Sequence, residues 1–330
     1  MKSSRLKQIF GAKSTTLVLV VFVIIVFFYS MNNNYLGRDN IRGILNSISL
    51  SGTIAVGMAC LLIGGQVDLA AGAVGCMAGI LVAFFINFGI PWPIAVLLSV
   101  LFGVVAGLIT SFLVNVLRFM AFISTIALAS IYQGFIKVLT NNQSISMNDS
   151  PFKGLGSTVI LGIPLPFIIM VVLLVVYGIM LSYTRFGRSI YMCGGNLSAA
   201  RLAGLNPKKI STMLFVNCGA ISSLGGVILA SRMHAGTPSN VIGSEFDAIT
   251  GAVLGGIAFT GGSGSMFGCF LGLLVINTFN NGLTIIGVRE YWQTVARGGL
   301  LIIALTIDVY RERARLRSLK EPRQNAASAG

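Results

Sequence analysis

Asp68 is the only charged side chain between Gly43 and Leu117, and a carboxylate in so apolar a stretch must be capped, paired or in use. Its setting, Gly64-Gly65-Gln66-Val67-Asp68-Leu69-Ala70-Ala71-Gly72, admits two readings. In one, two glycines loosen a helix and a short acid caps the next, satisfying its free N–H groups. In the other, Gln66 and Asp68 offer hydrogen bonds along a polar break that lines a solute path. The pattern Asp68-x-x-x-Gly72-Ala73-Val74 reappears as Asp247-x-x-x-Gly251-Ala252-Val253, which fits an internally repeated, inverted bundle. Ser124, Thr125, Gln133, Asn217, Asn277, Asn280, Asn281 and Gln293 add neutral polar groups in or beside apolar runs. Uncharged amides and hydroxyls suit a polar, uncharged solute such as a sugar, and equally suit hydrogen bonds between helices. Asn277, Asn280 and Asn281 therefore join Gln66 and Asp68 as candidates for a path. Arg297 also lies within an apolar run, and the sequence names no partner for it.

Reactive chemistry is poorly provided for. His234 is the single histidine, so a metal site of several imidazoles or a histidine-based nucleophile relay has little to build on. The stretch Gly11-Ala12-Lys13-Ser14 lacks the glycine and the preceding strand of a phosphate loop, and Gly262-x-Gly264-x-x-x-Gly268 misses the dinucleotide spacing by one. The five cysteines form no C-x-x-C pair and read as small packing residues, without a disulfide framework or metal site. The expectation is a chain with no catalytic residues, no metal and no cofactor of its own.

The elements that hold these residues follow from composition. Of 330 residues, 55% are hydrophobic and only 10% charged, and the mean hydropathy is +0.87. A soluble domain of this length needs about 25% charged residues to cover its surface, so soluble, disordered and disulfide-stapled classes are excluded. Charge-free windows such as 14–37, 43–67, 69–117 and 248–288 each hold one or two runs of the roughly 20 apolar residues that cross a bilayer as a helix. They lack barrel alternation. The expected fold is all-α, a polytopic bundle of about ten transmembrane helices at 15–31, 44–63, 70–88, 92–116, 119–139, 164–182, 211–231, 247–260, 266–286 and 293–309. Residues 1–310 form one transmembrane domain, with a loop at 183–210 and a basic tail at 311–330. Glycines four apart, at Gly75/Gly79, Gly103/Gly107, Gly251/Gly255 and Gly264/Gly268/Gly272, place small faces where helices approach closely.

Counting Lys and Arg orients the bundle. With both termini cytoplasmic, sixteen cations fall on the inner side, at the N-terminus, Arg118, the 183–210 loop and the tail, against five outside. The net charge of +14 is mostly this topology signal, and nucleic-acid binding is not needed to explain it.

The 183–210 loop is the most informative polar segment. Asn196 can cap a short helix, Leu197 through Ala203 favour it, Gly204 can end it and Pro207 prevents continuation. A small, basic two-turn helix of this kind is suited to dock into a partner's groove. Thr184-Arg185-Phe186-Gly187-Arg188, Gly194-Gly195-Asn196, Ala199-Ala200-Arg201-Leu202-Ala203-Gly204 and Lys208-Lys209 together resemble the coupling loop of ABC sugar-importer permeases, in the branch that serves ribose, xylose, arabinose and galactose. Gly64-Gly65-Gln66-Val67-Asp68-Leu69, Phe246-Asp247-Ala248-Ile249, Val253-Leu254-Gly255-Gly256, Gly261-Gly262-x-Gly264 and Asn280-Asn281-Gly282-Leu283 are similar to that family's motifs in order and spacing. Gln66 and Ala70-Ala71 stand where the family more often has Ile and Ser-Val.

The resemblance implies a permease subunit of the bacterial inner membrane, paired with a second permease copy. Two ATP-hydrolysing subunits carrying ATP and magnesium would sit beneath it, and a solute-binding protein would deliver a monosaccharide from outside. It also implies that Gly194, Gly195, Asn196, Ala199, Ala200, Arg201 and Gly204 contact the ATPase. The competing expectation is a self-sufficient secondary transporter or channel, which would normally show more intramembrane acids or bases for ion coupling.

Overall fold

The structure is a computed structural model that describes residues 12–147 and 151–327. The chain runs through α1 (Ala12–Met31), α2 (Arg38–Ile63), α3 (Ala71–Asn87), α4 (Trp92–Ser111) and α5 (Ala121–Thr140). Short α6 (Lys153–Ser157) precedes α7 (Leu165–Tyr183), α8 (Arg185–Gly195) and α9 (Leu197–Leu202). Then come α10 (Pro207–Met233), α11 (Ser244–Leu254), α12 (Met266–Ile285) and α13 (Glu290–Ala327). Two antiparallel two-residue ribbons lie between helices: β1 (Ile145–Ser146) pairs with β4 (Ala235–Gly236), and β2 (Val159–Ile160) with β3 (Ile163–Pro164).

Seven helices among the described residues are long and apolar enough to cross a membrane: α2, α4 with its continuation to Val116, α5, α7, α10, α12 and the Tyr291–Tyr310 part of α13. Thr15–Met31 and Ala71–Asn87 are shorter apolar helices. This is a multi-pass helical membrane protein. The N-terminal cations Lys2, Arg5 and Lys7 lie outside the described residues.

Position in the bundle follows from how far each helix is apolar around its circumference. A helix apolar on every side belongs in the centre; every residue of α2 from Ser51 to Ile63 is buried, and α10 packs against α2, α3 and α4. The glycine faces make these close contacts possible, because lipid supplies no hydrophobic drive between helices. Gly75 and Gly79 of α3 face the Ser222 and Gly226 backbone of α10, and Gly103 and Gly107 of α4 face Gly219 and Phe215. Gly251 of α11 and Gly255 just beyond its end meet Gly272 and Gly268 of α12.

One expected span needs correction. Residues 247–260 do not form a crossing helix: α11 has 11 residues, about 16 Å at 1.5 Å per residue against roughly 30 Å of hydrocarbon. It stops where Gly255 and Gly256 follow, the latter at φ +90°. Before it, the chain enters the bundle as non-helical backbone. Val241 packs against Gly75 of α3 beside Ser222, near the middle of α10.

Candidate functional site

The 183–210 segment folds as two helices where one was expected. Thr184 caps α8, its Oγ1 accepting from the Gly187 N–H at 3.0 Å, and Gly187, Ile190 and Cys193 form the buried stripe. The signal was present in the sequence: a threonine ahead of apolar residues at Phe186, Ile190 and Cys193. Asn196 then caps α9 as expected, its Oδ1 accepting from the Ala199 N–H at 2.9 Å. The end of α9 is a Schellman turn. The Leu205 N–H donates to the Ala200 carbonyl at 3.1 Å and the Gly204 N–H to the Arg201 carbonyl at 3.0 Å, with Gly204 at φ +78°. Pro207 opens α10, which Asn206 caps by accepting from the Lys209 N–H at 3.2 Å.

Ala200 is buried, whereas Asn196, Ala199, Arg201 and Gly204 are exposed. Leu202, a residue the sequence reading did not single out, is 90% exposed. A leucine held this far out on a helix at the polar end of the bundle has nothing of its own chain to cover it. Its apolar side chain and the Arg201 guanidinium together form the outer face of α9.

Three Gly-Gly pairs join the α8–α9 segment to the bundle. Gly64-Gly65 after α2, Gly194-Gly195 at the end of α8 and Gly261-Gly262 between α11 and α12 meet at one crossing. The Gly262 N–H donates to the Ile63 carbonyl at 2.8 Å, and the Tyr191 hydroxyl donates to the Gly264 carbonyl at 2.8 Å. A Cβ on Gly194 would overlap the Ile63 carbonyl oxygen, and one on Gly261 would come within 2.8 Å of the Gly65 Cα. Backbone lies directly on backbone here, so α8 cannot shift without displacing the segments that lead into α3 and α12.

Those segments end in the interior. The start of α3 meets the start of α11, where the Glu245 carboxylate fills the space a side chain on Gly72 would need. Glu245 Oε2 accepts from the Gly243 N–H at 2.9 Å. Asp68 Oδ1 accepts from the Ala70 N–H at 2.9 Å, one residue ahead of α3, so it braces the turn into the helix rather than capping it. Asp68 is 2% exposed and Glu245 5%. Carboxylates beside two helix N-termini are favourably placed, because each helix presents free N–H groups and a positive dipole end there. The Asp68 and Asp247 motifs are not equivalent in place: Asp68 precedes α3, while Asp247 lies inside α11. Glu245, not Asp247, stands against α3. Asp247 instead faces Arg297 of α13 at 3.8 Å, which supplies the partner the sequence could not name.

The five path candidates do not converge. Gln66 lies beyond the end of α2 in a cleft at the α8–α9 end of the bundle. Asn281 forms a reciprocal amide pair with Asn40, at 2.9 and 3.0 Å. Asn40 precedes Ile63 by 23 residues on α2, about 35 Å of helix. Asn277 Nδ2 donates to Ser51 Oγ at 3.0 Å, and its Oδ1 accepts from Ser47 Oγ at 3.1 Å. Asn277 and Asn281 thus tie α12 to α2, whereas Asn280 Oδ1 is buried without a hydrogen-bond partner. Expected result: Asn40→Ala and Asn281→Ala each lower thermal stability in detergent, and the double variant loses less than the sum. A coupling of about 1 kcal/mol is expected from a double-mutant cycle.

Residues 40–305 match the family described as "Branched-chain amino acid transport system / permease component". The chain belongs to this family. Ribose import permease protein RbsC of Bacillus subtilis (strain 168) is 37% identical over 280 residues, 84% of this chain and 87% of that protein. L-arabinose transport system permease protein AraH of Escherichia coli (strain K12) is 36% identical over 276 residues, 84% of each chain. Probable ABC transporter permease protein YphD of the same organism is 33% identical over 310 residues, 93% of each chain. No solved structure matches. Both α9 and the Gly-Gly crossing lie inside the matched residues.

Proposed function

We propose that this chain is the membrane subunit of an ATP-driven importer that moves a monosaccharide into the cell, with ATP and magnesium bound by a partner subunit. The observation that carries the reading is the path of backbone contact from the exposed Arg201 and Leu202 through Gly194 to Ile63 and Gly262. A partner that grips α9 more tightly in one packing than in another biases the whole bundle, and only such differential affinity can do so. Relatives named for ribose and arabinose import support the substrate class.

In this reading Gly194, Gly195, Asn196, Ala199, Ala200, Arg201 and Gly204 couple the chain to two ATP-binding subunits, and both termini are cytoplasmic. A solute-binding protein delivers substrate, and a second permease copy packs alongside in the inner membrane. Only 6% of the most apolar window of the α13 span is buried within the chain, which leaves that helix free to face lipid or a second copy. The starts of α3 and α11 meet in the interior, where the Glu245 carboxylate lies against Gly72, and this junction is where a solute site would lie in an internally repeated bundle.

Arg201→Glu and Leu202→Asp each reduce uptake at least tenfold in proteoliposomes holding the ATPase partner, while the protein still inserts. Unchanged ATP-dependent uptake in both variants removes the coupling role. Accumulation of sugar by the purified chain without ATP overturns the importer reading altogether.

A further inference from the structure

A cleft of about 430 Å³ opens between the α8–α9 segment, the start of α10 and the end of α4. Its wall carries Arg118, Arg201 and Lys208 together with Gln66, Asn115 and Ser211, and no carboxylate. Among the described residues none of the three cations has an ion-pair partner. The sequence explains why: from Leu69 to Ser244 it holds a single acid, Asp149. The Ser211 hydroxyl is buried and has no hydrogen-bond partner. Arg118 is held at φ +61°, a left-handed conformation strained for a residue with a Cβ, where the chain leaves the π-helical turn Phe112–Val116. Three like charges around one hollow repel one another until an anion enters, and the hydroxyl lacks an acceptor.

The shape of the surroundings selects among anions. Val114, Leu197 and Leu214 give the lining apolar walls, and Val116, Leu117, Phe119 and Met120 on either side of Arg118 are all exposed. A free oxyanion has no use for these apolar walls, whereas a molecule with a charged head and hydrocarbon tails matches both parts. We propose that this cleft is a binding site for the phosphodiester headgroup of an anionic phospholipid, its acyl chains lying along Val116–Met120. Arg118, Arg201 and Lys208 neutralise the phosphate and Ser211 Oγ donates to it. The lipid bridges the end of α4 to α9 and thereby props α9.

The test uses the purified full chain in mild detergent, with native mass spectrometry and thermal unfolding as readouts. Phosphatidylglycerol, phosphatidylcholine of equal chain length and inorganic phosphate are the probes. One phosphatidylglycerol per chain is retained in at least fivefold preference over phosphatidylcholine, and it raises the unfolding midpoint. Arg118→Asn, which keeps a residue tolerant of the left-handed conformation, combined with Lys208→Gln, abolishes that preference. Arg185→Gln with Arg188→Gln, the same charge removed outside the cleft, leaves it intact. Equal loss in both pairs shows diffuse attraction to basic loops and overturns the site. Protection by inorganic phosphate alone shows a free-anion site and overturns the lipid assignment, as does retention of phosphatidylglycerol by the Arg118→Asn/Lys208→Gln variant.

Discussion

Gly194→Val is expected to abolish ATP-coupled uptake, with a loss of more than tenfold, and to destabilise the folded chain by about 3 kcal/mol, the upper part of the overpacking range. The cause is local. The first atom of any side chain at this position falls on the Ile63 carbonyl oxygen, and the next neighbour is the Gly262 N–H that bonds to that oxygen. Neither neighbour is a flexible side chain, so α8 must lift away from α2 and from the 261–264 turn. Gly195 provides the contrast, because a Cβ there meets its nearest atom, the Gly262 Cα, at an ordinary 3.7 Å. Gly195→Ala should therefore retain near-normal uptake and stability. Unfolding midpoints in detergent and uptake rates in proteoliposomes measure both. Equal behaviour of the two variants would show that the crossing does not transmit motion.

Arg297→Met should cost about 2 kcal/mol of stability and most of the transport activity, with recovery of at least half the loss when Asp247→Asn is added. Removing one member of a buried pair strands the other charge, which typically costs about 3–5 kcal/mol. The smaller figure applies here because the N–O separation is 3.8 Å and the arginine side chain is 43% exposed, whereas Asp247 is 15% exposed. Neutralising both residues removes the stranded charge and leaves only a lost contact. Since α13 is otherwise scarcely buried, this pair and the Phe259 N–H donation to Asp308 at 3.0 Å fasten it to α11 and its following turn. A double variant as unstable as Arg297→Met alone would show that the pair matters through packing and not through charge.

Several parts of the molecule could be read before any coordinates, and for stated reasons. The positions of the apolar helices follow from charge-free length, and the glycine faces at Gly75/Gly79, Gly103/Gly107 and Gly251/Gly255 follow from spacing of four. The cap at Asn196 and the stop at Gly204 are local backbone chemistry, complete within a few residues. The second helix of the 183–210 segment was missed because its pattern of polar and apolar residues was read as loop composition. The span at 247–260 was drawn too long, since hydropathy does not distinguish a crossing helix from a short one followed by apolar turn.

Composition and local pattern alone determined that this chain is a helical membrane protein with a short helix capped at Asn196, because bilayer length, capping and glycine spacing are short-range properties that a linear string records. The tertiary structure alone decided that Arg297 belongs to Asp247, that Glu245 rather than Asp247 stands beside Gly72, and that Asn277 and Asn281 join α2 to α12 instead of converging with Gln66. It also decided that three separate Gly-Gly pairs share one crossing. Each of these is a contact between residues far apart in the chain, set by the packing of whole helices, and residue type and spacing carry no record of which helix faces which.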